Sequence, residues 1–472
     1  MKQLFSTDTQ AIFYNEHPLP IQRMLDYDWL CNREKPSIAA IVNPNRSGMH
    51  KTFFGSAEIL IPVYTTITEA AAAHPDADVM VSFASMRSAY ATSLEAIMTK
   101  SIRTVAITAE GMPENQTRDL IRASAENDTW LIGPATVGGI KPGAFRIGNT
   151  AGSIESIIEA RLYRPGSVGV VTISGGMSLE IYHIVAQQTD GVYEGIAIGG
   201  DTWPGSTLLD NILRLEADQG VKMHVVLGEI GGTAEYEIAK ALKDGRIKKP
   251  LVIWVTGTVA RQFATEVQFG HAGAKSGADD ESAQAKNKAL KDAGAYVPAS
   301  FNDLGKLIGK VFSEHVSAKR NYREPADNGY RLPPLEFADA LKQNKVRRPT
   351  SIVSSVSDDR GEEPTYNKKE ISTFLNKPFG HLLNQLWFQG RFQKPARIFW
   401  NTPLKSWPTT VLRLQPHITQ SSLHAQVKIW LTRLQPGCLP SAPDMAVPLT
   451  GLPDGHLNQW QPGFPHAILY YR

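Results

Sequence analysis

The sequence predicts an α/β fold: two tandem doubly wound parallel-sheet domains, then a short helical segment and a tail of different character. Three observations carry this. Short apolar, β-rich runs alternate with amphipathic stretches through residues 11–160, the alternation restarts through 166–315, and polar, proline-dotted chain then interrupts it. Buried strands alternating with helices are the pattern of a parallel sheet covered on both faces.

In the first domain, set at 1–160, the strands are Ala39-Ala-Ile-Val, Val79-Met-Val-Ser-Phe, Val105-Ala-Ile-Thr and Leu131-Ile-Gly-Pro. Each is bounded by turn residues, and helical stretches such as Thr117 to Asn127 lie between them. In the second, 161–316, the strands are Val168-Gly-Val-Val-Thr, Gly195-Ile-Ala-Ile, His224-Val-Val-Leu and Leu251-Val-Ile-Trp-Val. A glycine-rich turn and a helix follow each. Residues 317–350, with Arg331-Leu-Pro-Pro, read as a linker. Residues 351–397 regain amphipathic character from Ile371 to Leu386, and 398–472 are expected to be unstructured.

The 472 residues suggest about three domains. Hydrophobic residues at 42% and charged residues at 20% are ordinary for a globular protein. A net charge of +3 gives no reason to expect nucleic acid. No apolar run approaches the roughly 20 residues of a membrane span, and Met1 to Asn15 show no leader pattern. Cys31 and Cys438 are too few for a disulfide framework or a cysteine metal cluster, and no metal site is expected. The expected compartment is the cytoplasm.

Four glycine-rich turns in the second domain carry the candidate chemistry. Ser174-Gly175-Gly176 opens a helix, where small residues let backbone N–H groups approach an anion. In Gly228-Glu-Ile-Gly-Gly-Thr, Glu229 ends a strand, where a carboxylate can orient an imidazole through its ring N–H. In Val267-Gln-Phe-Gly-His-Ala-Gly-Ala, His271 stands among small residues that leave its ring approachable. Gly199-Gly-Asp-Thr-Trp-Pro-Gly-Ser adds Asp201 to the same sheet edge. On the residues alone each has an ordinary reading too: a turn that is only a turn, a solvated loop acid, a surface histidine.

In this order the turns resemble the α subunit of succinyl-CoA synthetase and the related half of ATP-citrate lyase. Finer strings resemble the citrate lyase branch: Arg87-Ser-Ala-Tyr, Gly133-Pro-Ala-Thr-Val-Gly-Gly-Ile-Lys-Pro-Gly, Leu162-Tyr-Arg-Pro-Gly-Ser-Val, Thr189-Asp-Gly-Val-Tyr-Glu-Gly and Glu266-Val-Gln-Phe-Gly-His. The resemblance runs from about Thr9 to Phe392. It implies a Rossmann-like CoA-binding domain followed by a flavodoxin-like ligase domain. It implies that His271 is the phosphorylated residue, with Glu229 orienting it and Ser174, Gly175 and Gly176 holding phosphate or citrate. For CoA the candidate contacts are Arg87, Ser85 and Glu110. It also implies a separate ATP-grasp partner chain, with ATP and Mg mainly on that partner, citrate as substrate and hetero-oligomers. The family's usual basic residue before Ser-Gly-Gly is Ile173 here. The first turn, Tyr14-Asn-Glu-His-Pro-Leu-Pro-Ile-Gln-Arg, lacks a glycine-rich CoA loop, so side chains would have to hold the CoA phosphates.

The tail departs from everything before it. From Arg391 on there are two acids, Asp444 and Asp454, against eight Lys and Arg, with 11 of the 30 prolines and 4 of the 9 tryptophans. Relatives continue with A-D-H-G-P-A-V-S and later A-H-N-T-I-V-T-A-R-A-G-K-D-L-V. Back-translated with a one-base shift, Pro416 to Leu431 permits the second string, Trp407-Pro-Thr-Thr-Val permits A-D-H-G, and Gly437 to Thr450 permits G-L-L-T-I-G-P-R-Y-G-G-A-V. The expectation is a frame slip near Arg397–Ile398. A citrate-synthase-like domain would then be truncated and the citryl-CoA cleavage step missing, which leaves two alternatives open: citryl-CoA synthetase or succinyl-CoA ligase-type activity only, or an inactive CoA-binding pseudogene product.

Overall fold

The computed structural model describes residues 3–263, 268, 270–275, 279–334, 356–358 and 363–388. Residues 398–472, expected to be frame-slipped and unstructured, and residues 335–350 lie outside them.

The first sheet has seven strands: β1 (Ala11–Tyr14), β2 (Ile38–Val42), β3 (Gly48–Phe54), β4 (Ala57–Tyr64), β5 (Val79–Ser82), β6 (Thr104–Ile107) and β7 (Trp130–Ile132). Their order is β3-β4-β2-β1-β5-β6-β7, parallel except for β3. Helices α1 (Pro18–Leu30), α2 (Ile67–Ala73), α3 (Met86–Met98) and α4 (Glu114–Glu126) connect them. Strands such as Val79–Ser82 are buried along their whole length, which is why they read as unbroken apolar runs rather than alternating ones. The chain runs outward from β1 through β2 and β4, then returns to β5. The ligand crevice of such a sheet therefore opens between the carboxyl ends of β1 and β5.

The second sheet comprises β8 (Gly138–Lys141), β9 (Phe145–Arg146), β10 (Val168–Thr172), β11 (Val192–Ala197), β12 (Met223–Glu229) and β13 (Leu251–Thr256), in the order β13-β12-β10-β11-β8-β9. Its helices are α5 (Ile154–Glu159), α6 (Gly175–Gln188), α7 (Leu208–Glu216), α8 (Ala234–Lys243), α9 (Ala283–Asp292) and α10 (Leu304–Phe312). A capping box starts α7: the Thr207 hydroxyl takes the Asp210 N–H, and the Asp210 carboxylate takes the Thr207 N–H.

The sheets do not divide at 160/161. Residues 138–146, expected with the first domain, form β8 and β9, and β8 pairs antiparallel with β11. Gly-Gly-Ile-Lys has no apolar alternation by which a strand could be read from sequence. One buried cluster unites Phe13 and Val81 of the first sheet with Val171, Ile196 and Val226 of the second.

Two later segments also differ from expectation. The described part of the polar linker is laid against the protein: the Tyr163 hydroxyl donates to Asp327 at 2.8 Å, and the Arg331 guanidinium lies 4.0 Å from the Trp29 ring centre. Within 356–388, expected to be helical, three short strands come first (Ser357–Asp358, Thr365–Tyr366, Lys369–Glu370). Asn367 and Lys368, at φ 47° and 65°, form the two-residue turn between the last two. The helix begins only at Phe379, after Pro378. No described helix is long and apolar enough to cross a membrane.

Candidate active site

In the second sheet, β10 has β11 on one side and β12 on the other, so the crevice opens at the carboxyl ends of β10 and β12. Glu229 is the last residue of β12, and Ser174 caps α6 just beyond β10. His271 reaches this edge from a loop closed by a bridge between Gln268 and Lys275. The loop is tied internally: the Gln268 side-chain amide and the Ala274 N–H both donate to the His271 carbonyl, at 3.2 and 3.1 Å.

The two predicted residues meet. His271 Nδ1 lies 2.7 Å from Glu229 Oε2, with the His271 side chain 35% exposed and that of Glu229 12% exposed. A carboxylate accepts, so Nδ1 carries the hydrogen and Nε2 keeps its lone pair. Among the described residues nothing hydrogen-bonds Nε2. Burial pushes the Glu229 carboxyl above its ordinary value, and the hydrogen bond and charge of His271 pull it back.

Close backbone packing holds the ring. A Cβ on Gly200 would lie 2.4 Å from His271 Cγ, so the imidazole rests directly on that glycine. Gly231, at φ +96°, approaches Gly273 so closely that a Cβ would come 2.1 Å from its carbonyl oxygen. Gly199 N–H donates to Ile173 O at 3.2 Å, which joins this loop to the start of α6. Asp201 accepts from the Trp203 N–H at 3.2 Å, and burial raises its carboxyl. Trp203 reaches the start of α4, its indole N–H donating to Glu114 at 3.2 Å.

Sequence reasoning missed what lies beneath. Lys286 on α9 and Glu235 on α8 form an ion pair at 2.6 Å, with side chains 0% and 2% exposed. Lys286 Nζ also donates to the carbonyls of Glu229 and Gly231, and Glu235 Oε1 accepts the Glu229 N–H at 3.2 Å. Both residues lie on helices whose charged residues look solvated in sequence, and no spacing rule marks them.

The Ser174 side chain accepts the Met177 N–H at 3.3 Å, while Gly175 and Gly176 form the first turn of α6, whose N–H groups have no intrahelical acceptor. The helix start is thus open to an anion through backbone rather than through a cation, because Ile173 packs against the core. A cleft of about 660 Å³ lies beyond β13, among Met177, Trp254, Thr256, Asn287 and Phe301, and includes neither His271 nor Glu229.

The candidate CoA residues occupy the first sheet's crevice. Ser85 and Arg87 lie at the start of α3 after β5, and Glu110 lies in the turn after β6; all three are exposed. Met86 packs against this turn, its sulfur 3.4 Å from where a Gly111 Cβ would be. Ser85 Oγ lies 3.0 Å from Ser88 Oγ. The first turn supplies a network that sequence reading did not foresee. Glu16 takes the Arg46 guanidinium, the Asn43 amide at 3.0 Å and the His50 ring nitrogen at 2.7 Å. Burial works against its charge, yet these bonds hold the Glu16 carboxyl down at about 2. Among the described residues no group of three or more His, Cys, Asp or Glu is placed to hold a metal ion.

An imidazole with one nitrogen tied to a carboxylate and the other unbonded among the described residues, at the same sheet edge as an open helix N-terminus, is equipped to take up and pass on a phosphoryl group. Comparison with known proteins bears on this geometry. The CoA-ligase family model matches residues 171–296. ATP-citrate synthase beta chain protein 1 of Oryza sativa subsp. japonica is 55% identical over 390 residues, covering 82% of this chain and 64% of that protein. The Methanosaeta concilii ATP citrate lyase (D541A mutant), solved in complex with (3S)-citryl-CoA, superposes with a TM-score of 0.70 at 48% identity, covering 84% of this chain and 65% of that one. The Methanothrix soehngenii ATP citrate lyase in complex with citrate and coenzyme A gives the same TM-score, identity and coverage. The chain thus spans a little under two thirds of the length of these proteins.

Proposed function

We propose that this chain belongs to the ATP-citrate synthase family and is the phosphohistidine- and CoA-handling subunit of an ATP-citrate lyase. The observation that carries the reading is the 2.7 Å contact between His271 Nδ1 and Glu229. With Nδ1 occupied, Nε2 is the nucleophile. It attacks the γ-phosphorus of ATP, the bond to the β-phosphate oxygen breaks, and ADP leaves. A citrate carboxylate oxygen then attacks that phosphorus and the N–P bond breaks, giving citryl-phosphate and restoring His271. Attack of the CoA thiol on the acyl carbon expels phosphate and forms citryl-CoA. Splitting one difficult coupling into phosphoryl and acyl transfers is the gain from covalent catalysis.

ATP, with Mg²⁺ on its phosphates, belongs on a separate ATP-grasp partner chain. The name beta chain of the rice relative supports a divided enzyme. A phosphoryl group or a citrate carboxylate suits the N–H groups of Gly175 and Gly176 with Ser174. CoA suits the first crevice, with Ser85, Arg87 and Glu110 as contacts and its phosphates held by side chains. The assembly would be a cytoplasmic hetero-oligomer.

A second reading rests on the reading frame of residues 398–472. As written they do not carry the A-D-H-G string or the later acid–base residues, so these residues do not supply citryl-CoA cleavage. The rice protein matches 82% of this chain, which is compatible with a tail of other origin. The test is to combine the chain with the ATP-grasp partner, ATP, citrate and CoA, and couple oxaloacetate to malate dehydrogenase. Citryl-CoA without oxaloacetate is expected. Oxaloacetate at the rate of a frame-corrected control contradicts the second reading, and no labelling of His271 by ATP contradicts the first.

A further inference from the structure

We infer that the buried Lys286–Glu235 pair is a positioning device that grips the backbone of Glu229 from both sides and so sets the imidazole tautomer of His271. The pair has no solvent access on the lysine side and little on the glutamate side. A buried pair of this kind adds little stability over apolar residues of the same volume, so its presence asks for another role. Its hydrogen bonds supply one. Three acceptors surround Lys286 Nζ: Glu235 Oε2 at 2.6 Å, the Glu229 carbonyl at 3.0 Å and the Gly231 carbonyl. The second Glu235 oxygen accepts the Glu229 N–H at 3.2 Å.

The peptide groups on both sides of the Glu229 α carbon are therefore held by one ion pair anchored on α8 and α9. This matters because Glu229 is the last residue of β12: it is paired with Thr256 of β13 on one side, but the pairing with β10 on the other side stops at Leu227. Gly231 carries the same grip one step on, since it supports Gly273 of the His271 loop. Both members of the 2.7 Å contact are thus placed from the same lysine. Lys286 and Glu235 touch neither the imidazole nor a reacting atom; they act through Glu229.

The inference rests on His271 being the reactive residue, but its test does not depend on that chemistry. The full chain is labelled with ¹⁵N-histidine, and the two ring nitrogens of His271 are read by long-range ¹H–¹⁵N correlation, assigned by loss of the signals in H271A. In the wild type the Nδ1–H form should dominate by about tenfold or more, the bias of one charge-assisted hydrogen bond. In the double variant E235L/K286M, which removes both charges and leaves neither stranded, the bias should fall to a mixture of tautomers. Near-UV circular dichroism should stay native. The neutral pair E235Q/K286Q is read alongside it, so that a folded variant is available whichever substitution the core accepts. A folded variant that keeps the wild-type bias overturns the inference. Loss of the bias with His271 never phosphorylated by ATP and partner upholds the clamp and refutes the functional reading; an unchanged bias with normal phosphorylation does the reverse.

Discussion

The two crevices of this molecule are built in opposite ways. In the second sheet the side chain proposed to react is held on several sides: His271 by Glu229, Glu229 by Lys286 and Glu235, and the ring face by Gly200. In the first sheet Ser85, Arg87 and Glu110 stand exposed, while Glu16 in the first turn is held by Arg46, Asn43 and His50. The difference fits the roles proposed for the two sites. Phosphoryl transfer needs one nitrogen placed to a fraction of an ångström. Holding a long, flexible thiol cofactor needs several adaptable contacts, none of them decisive.

If that contrast is right, substitutions should hurt very unequally. H271A should abolish phosphate incorporation from ATP in the presence of the partner chain; any residual label would place the phosphoryl group elsewhere. G200A puts a methyl group where the imidazole lies, and a displacement of that size should slow incorporation by about 10²-fold while leaving CoA binding intact. R87A should do the reverse, weakening CoA binding by roughly fivefold, as loss of one exposed ionic contact does, with labelling of His271 untouched. Unchanged CoA affinity would remove Arg87 from the contact set.

The smallest effect tests the first crevice's internal network. Glu16 has a folded-state carboxyl at about 2, below its ordinary 4.5, so its contribution to stability is present above 4.5 and is lost as pH falls through 2. Thermal unfolding of E16Q should lie below wild type at neutral pH, and the gap should close as pH drops through that window. A gap independent of pH would mean that Glu16 acts by packing alone.

Much of this arrangement was legible in the residues. Val168–Thr172 was read with its observed limits, because a fully buried strand bounded by proline and glycine turns leaves little choice. That His271 and Glu229 share one sheet edge was legible because glycine-rich turns after buried strands collect there; their pairing was implied by the resemblance, the residues alone leaving a loop acid and a surface histidine open. The strands Gly138–Lys141 and Phe145–Arg146 were not, because their place is decided by β11, far along the chain. Lys286 was not, because a lysine among lysines on α9 has no local mark of burial; only the fold brings it beneath Glu229. Glu16 was hidden for the same reason, its partners Arg46 and His50 lying 30 and 34 residues away.

The central claim is that Glu229 occupies Nδ1 of His271 and leaves Nε2 to accept the phosphoryl group. Phosphorus NMR of the chain after reaction with ATP and its partner tests it directly, since the two phosphohistidine isomers resonate apart. The account predicts a single Nε2-phosphohistidine signal, absent in H271A and joined by the Nδ1 isomer in E229A. A wild-type signal from Nδ1-phosphohistidine, or one that survives in H271A, would contradict it.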